Sequence, residues 1–126
     1  MDIVQALESW KPAKNCCLFN KKYGSAYKAA NTFMAIGAAG ALAHALRAVT
    51  NPGDEIITFA PCFSEYKPYT AGAGLKLTII PADIDTFQIN FAAFEAQLNE
   101  NVSAVLINSP NNPSGIVYST ETIEKL

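Results

Sequence analysis

Charge is scarce in this sequence, and none of it accumulates as base. Only 16% of the 126 residues are charged and 50% are hydrophobic, with a formal net charge of −2. That balance excludes a disordered chain, which combines low hydrophobicity with high charge. It also leaves no basic field for nucleic acid or for an anionic membrane surface. Lys21, Lys22 and Lys28 stand near Tyr23 and Tyr27, but three lysines more often form a solvated face than a binding patch. Cysteine is nearly as scarce. Cys16, Cys17 and Cys62 make neither a disulfide framework nor a zinc spacing, so a reduced, cytoplasmic setting is expected. Cys62 has no histidine and aspartate beside it in the pattern of a nucleophile and reads as a small packing residue. No long apolar run is present. The most apolar stretch, Phe33 to Val49, is mostly alanine and glycine and is interrupted by His44 and Arg47, which falls short of a membrane span. The start, Met1-Asp2-Ile3-Val4, lacks the basic region and apolar core of a signal peptide. Internal repeats and linkers are absent as well. A single domain over residues 1–126 is expected, long enough to bury about two thirds of its unfolded-chain surface.

What is present is an alternation of short apolar runs and helical patterns. Ile3, Val4, Leu7 and Trp10 have loose helical spacing that stops before Pro12. Residues 11 to 32 carry no clear period. Phe33-Met34-Ala35-Ile36 then leads into Gly37-Ala38-Ala39-Gly40 and a helix with Ala41, Leu42, Ala45, Leu46 and Val49 on one face. Asn51-Pro52-Gly53-Asp54 is a turn. Glu55 to Phe59 reads as a buried strand ending at Ala60-Pro61, and a short helix follows from about Ser64 to Ala71. Leu75 to Ile80 is a second strand closed by Pro81. Asn90 caps a helix carrying Phe91, Phe94 and Leu98. Ser103 to Ile107 is a further strand, and a last helix begins near Ser119 or Thr120. Strands alternating with helices predict a three-layer α/β/α fold around a largely parallel sheet.

Ligands of open α/β sheets bind beyond the carboxyl ends of the strands. Three such exits carry unusual residues: Gly37-Ala38-Ala39-Gly40, Pro61-Cys62-Phe63, and Asn108-Ser109-Pro110-Asn111-Asn112-Pro113-Ser114-Gly115. Bare N–H groups at a helix start seat an anion, and the first exit offers them; the same small residues also suit close helix–strand packing. Phe63 is placed to cover a planar ligand, although a lone phenylalanine is more often core. Full burial among Ile56, Leu77 and Ile79 would favour that second role. The third exit spends three amides on one turn, where an ordinary turn needs one or two such residues. A dinucleotide site is rejected: G-x-x-G is not G-x-G-x-x-G, and Asp54 and Glu55 open their strand instead of closing it.

Taken together, these residues resemble the fold-type I pyridoxal-phosphate enzymes, specifically the class I/II aminotransferases of the aspartate aminotransferase kind. The resemblance runs from about Lys21 to Leu126, through FMAIGAAGALAHALRAVTNPGDEIITFAPCFSEYKPY, DTFQINFAAFEAQL and VLINSPNNPSGIVYSTETIEKL. Residues 1 to 20 do not match. The resemblance implies pyridoxal 5'-phosphate as cofactor, an amino acid and a 2-oxo acid as substrates, and a homodimer for the complete enzyme. It makes Gly37, Ala38 and Ala39 the cofactor-phosphate loop, with backbone N–H groups as donors. Many relatives carry a hydroxyl residue there and this chain has alanine, so only backbone help is expected. It makes Phe63 the aromatic that stacks on the pyridine ring, and Asn112 the amide that donates to the ring's phenolic oxygen. Such a bond favours the ionised oxygen. Pro110 or Pro113 is expected to follow a cis bond, which would fix the amide's aim.

The resemblance also implies what is missing. The imine-forming lysine of the family lies well downstream of the N-P-S-G element in a Ser-x-x-Lys-like context. The aspartate at the pyridine nitrogen and the arginine for the substrate carboxylate lie downstream too. None of lysines 11, 14, 21, 22, 28, 67, 76 and 125 has that setting. The expectation is therefore a fragment of the cofactor-binding large domain, without catalytic residues of its own and inactive alone. A decarboxylase or C–S lyase of the same fold type, or a non-catalytic truncated chain, are the competing readings. The amino acid used is not specified by these residues.

Overall fold

The computed structural model describes residues 12–126; the helical pattern expected over residues 3 to 10 lies outside them. The chain divides into two compact units, residues 1–41 and 42–126, and each is described by itself.

In the first unit, helix α1 spans Pro12–Tyr23 and a single 3-10 turn spans Ala29–Asn31. Asn20 holds the return of the chain: its Oδ1 accepts from Ser25 Oγ at 2.8 Å and from Tyr27 N at 3.1 Å. Residues 33 to 36 are not in a strand. Helix α2, Gly37–Val49, begins at Gly37 itself. The segment Gly37-Ala38-Ala39-Gly40 is thus not a strand exit but the first turn of a helix. A four-residue apolar run forms a strand only where a neighbour extends the ladder to it, and the described sheet is made of Glu55–Ala60, Lys76–Pro81 and Val102–Val105. Gly37 has φ 68, a left-handed conformation that glycine adopts at no steric cost.

The second unit is built on three parallel strands, β1 (Glu55–Ala60), β2 (Lys76–Pro81) and β3 (Val102–Val105), in the order β2-β1-β3. Pairing of β1 with β2 runs without slip from Glu55 opposite Lys76 to Ala60 opposite Pro81. The β1–β3 register shifts once, between Glu55 and Ile56. The ladder continues past β3, where Leu106 N donates to Ile57 O at 2.8 Å and Thr58 Oγ1 donates to Leu106 O at 2.7 Å. Central β1 is buried along almost its whole length, with Ile56 and Ile57 at 0% exposure. That burial explains why Ile56-Ile57-Thr58-Phe59 is a continuous run and not an alternating one.

Both faces of the sheet are covered. On one, Ile56 packs with Leu46, Leu75 and the partly buried Leu42 and Tyr69, so α2 and α3 (Tyr66–Gly72) lie on that side. On the other, Ile57, Phe59 and Ile80 pack with Ile89, Phe94 and Tyr118, which brings in α4 (Phe91–Glu95). The alternation of Ile56 and Ile57 between the two clusters is the period-2 geometry of a strand. Asn90 caps α4 through Ala93 N at 3.0 Å, and Ser119 caps α5 (Thr120–Lys125) through Thr122 N at 3.1 Å. Two helical faces are narrower than their spacing predicts. Helix α4 stops at Glu95, which leaves Leu98 at 51% exposure, and along α2 Val49 stays at 66%. Among the described residues, no helix is long and apolar enough to cross a membrane.

Candidate functional site

Because β1 and β3 are parallel neighbours, their carboxyl ends open on one edge of the sheet. Phe63 follows β1 by three residues and the 108–115 loop follows β3, so both arrive at that edge. Phe63 is half-buried and meets Tyr66 edge to face, ring centroids 5.8 Å apart. It joins neither core cluster. Tyr66 in turn lies near Cys62 and Tyr118. Burial raises the phenols of Tyr66 and Tyr118 and the thiol of Cys62. Cys62 pushes both phenols further the same way, while Lys67 draws the Cys62 thiol slightly back. Cys62 is therefore held as a neutral thiol, the condition of a packing residue. Tyr118, which carries no motif in the sequence, donates from its backbone N to Ser109 Oγ of the loop at 3.1 Å.

The three amides of the loop have different surroundings. Asn108 Oδ1 accepts from Asn112 N, four residues along the chain, at 2.8 Å and so holds the start of the turn. Asn111 is buried, 8% exposed, and its Oδ1 accepts from Ser114 N at 3.3 Å and Ser114 Oγ at 3.0 Å. The backbone of Asn111 donates to Ile116 O at 2.8 Å and accepts from Gly115 N at 2.7 Å. Gly115, with φ 73, closes that ring in a conformation that side chains rarely adopt. Asn112 alone turns outward. Its side chain is exposed and its amide bonds to no other described residue. Ser109–Pro110 and Asn112–Pro113 are both cis, as is Ala60–Pro61. Two amides build the turn and one is presented by it.

In the other unit, Gly37, Ala38 and Ala39 form the first turn of α2. Their N–H groups belong to the four at a helix start that no intrahelical carbonyl reaches, and no strand ladder uses them. The side chains of all three are hydrogen or methyl, so a ligand meets the backbone directly.

Comparison with known proteins decides the family. The family model of Aminotransferase class I and II matches residues 14–126. The chain belongs to the class I and II aminotransferases. An aspartate aminotransferase of Thermotoga maritima is 41% identical over 91 residues, which is 71% of this chain and 24% of that protein. A histidinol-phosphate aminotransferase of Dehalococcoides mccartyi is 37% identical over 81 residues, 64% of this chain and 22% of its own. The crystal structure of an aminotransferase from Eubacterium rectale superposes with a TM-score of 0.86 at 46% identity, covering 91% of this chain and 29% of that one. The chain spans about a quarter of the length of the curated relatives it matches. Members of the class I and II aminotransferases use pyridoxal phosphate.

Proposed function

We propose that this chain is the cofactor-holding part of a pyridoxal-phosphate-dependent aminotransferase, which moves an amino group between an amino acid and a 2-oxo acid. One observation carries the proposal: in the N-P-S-G loop the side-chain oxygens of Asn108 and Asn111 are taken up by the turn, whereas the Asn112 side chain is exposed and bonds to no other described residue. An amide positioned this way fits a planar ligand with one ionised ring oxygen, because the donor favours the charged form. Phe63, half-buried on the same sheet edge, would cover the ring. Ala38 and Ala39 would donate N–H bonds to the phosphate, favoured there by the positive end of α2, with no side-chain hydroxyl to assist. Bound pyridoxal phosphate supplies an electron sink for the bond broken at the substrate's α-carbon.

The proton shuttle at that carbon needs a lysine, and no residue here offers it. Lys28 and Lys67 each follow a serine by three residues, but both precede the N-P-S-G element. The 126 residues thus bind and orient, and the proton is moved by groups outside them. At the family's full length a cytoplasmic homodimer is the natural form. The free thiols of Cys17 and Cys62 suit a reducing compartment.

The test is Asn112→Ala in a chain restored to the family's full length. The absorbance titration of the bound cofactor should move to higher pH with the fold intact, because the donor to the ionised oxygen is gone. An unchanged titration removes Asn112 from the cofactor site.

A further inference from the structure

We propose that Ser109 is a positioning residue for Asn112, fastening the loop to the core through its hydroxyl. Tyr118 is 8% exposed and packs with Phe59, Ile57 and Ile80, so the sheet places its backbone. Tyr118 N donates to Ser109 Oγ at 3.1 Å from nine positions along the chain. The bond joins the limb of the loop that leaves β3 to the limb that leads into α5. Gln88 holds the second limb on either side of Tyr118. Its Nε2 donates to Val117 O at 3.3 Å, and its Oε1 accepts from Ser119 N at 3.4 Å and Thr122 Oγ1 at 3.2 Å. The Tyr118 N–H is thus a fixed point, and the Ser109 hydroxyl is the loop's attachment to it.

From Ser109 to Asn112 the chain has little freedom. Pro110 carries a ring that locks its φ. The backbone of Asn111 donates to Ile116 O at 2.8 Å and accepts from Gly115 N at 2.7 Å, and its side-chain oxygen holds Ser114. Asn112 N is tied to Asn108 Oδ1 at 2.8 Å. A short segment constrained at each residue moves as one piece, so the point where it is fastened sets the direction of the exposed amide at its end. Without that fastening the piece keeps its internal bonds and swings on its two limbs. The loop geometry stands by itself; its bearing on the cofactor rests on the function proposed above.

The experiment is Ser109→Ala in the 126-residue chain, with Ser109→Thr, which keeps the hydroxyl, as the rescue. Ser109 is exposed, so alanine there opens no core cavity. Amide exchange at Tyr118, read by NMR, should quicken about fivefold in Ser109→Ala, the equivalent of one neutral hydrogen bond. Residual dipolar couplings then report the direction of each N–H relative to the sheet. Those of Asn111, Asn112, Ser114 and Gly115 should shrink together in Ser109→Ala and recover in Ser109→Thr, while Ile57 and Leu106 keep theirs. Unchanged exchange at Tyr118, unchanged loop couplings, or equal losses at Ile57 and Leu106 overturn the proposal, and so does a loss that threonine does not restore. If Ser109→Ala does not fold, Gln88→Ala frees the Tyr118 backbone from outside the loop; the same loop couplings should shrink, and an unchanged loop contradicts the proposal. Pyridoxal 5'-phosphate is then added to separate the two readings. A shift of the Asn112 side-chain amide in the parent chain that shrinks in Ser109→Ala supports both, and a shift of equal size overturns the positioning role. With no shift in the parent chain the cofactor reading fails, while the couplings still decide the role of Ser109.

Discussion

Asn111 and Asn112 are adjacent and chemically identical, yet the fold treats them as opposites. Burying an amide without partners costs about 1 to 3 kcal/mol, so a buried one comes fully bonded. Asn111 is anchored by Ser114, which donates twice to its Oδ1, and by its own backbone bonds to Ile116 and Gly115. Replacing it with alanine leaves Ser114 without its partner, and Asn111→Ala should cost about 1 to 3 kcal/mol in urea unfolding. Asn112→Ala, at an exposed position, should stay within about 0.5 kcal/mol. Equal losses at both positions would contradict the division between a built and a presented amide. The motif names Asn112 in the sequence, but the burial that sets Asn111 apart appears only once the turn has folded. Tyr118 looks in sequence like any aromatic before a helix cap, and no local pattern separates it from a core residue.

At the scale of elements, one carboxylate ties the start of β1 to β2 and to the loop that precedes β3. Glu55, 4% exposed at the start of β1, accepts from Thr78 Oγ1, from Lys76 Nζ at 3.0 Å and from Asn99 Nδ2 at 3.4 Å. The Thr78 hydroxyl, and after it Lys76, hold its carboxyl below the usual range. A depressed folded value means that this stabilisation is present above the ordinary glutamate value of about 4.3 and is lost as pH falls through the folded value. Asp54 and Asp83 are depressed as well, by Asn51 N and by Thr86 N respectively ahead of their side-chain partners. Stability should therefore fall on acidification below about pH 4, and Glu55→Gln should flatten that fall without abolishing it. An unchanged acid limb in the variant, read by unfolding at several pH values, would remove Glu55 from the account. Strand β1 was legible because Ile56 to Phe59 is an unbroken apolar run, and the β2 and β3 runs fall within a residue or two of their observed bounds. Glu55 was read only as an acid in the wrong place for a dinucleotide, since Thr78 and Asn99 meet it only when the strands pair. The helix start at Gly37 is not legible in the sequence, because a four-residue apolar run has no period long enough to separate strand from coil. In the core, Ile57→Ala should cost about 2 to 5 kcal/mol, since Ile57 sits at 0% exposure between β2 and β3.

At the scale of the whole molecule, the function proposed above has these residues bind the cofactor without completing a reaction. On that proposal, neutral hydrogen bonds of about 1 kcal/mol each would hold the cofactor only weakly where no lysine secures it covalently. The purified 126-residue chain should turn over no amino acid, and borohydride treatment should trap no cofactor at a specific lysine. Turnover by this chain alone would contradict that division of labour. The most direct test of the central claim is an NMR perturbation map of the chain with pyridoxal 5'-phosphate, repeated with pyridoxal, which lacks the phosphate. Pyridoxal 5'-phosphate should shift the side-chain amide of Asn112, the ring of Phe63 and the amides of Ala38 and Ala39, while pyridoxal should leave Ala38 and Ala39 unmoved. Shifts confined to the neighbourhoods of surface lysines, with Asn112 and Phe63 silent, would contradict the account.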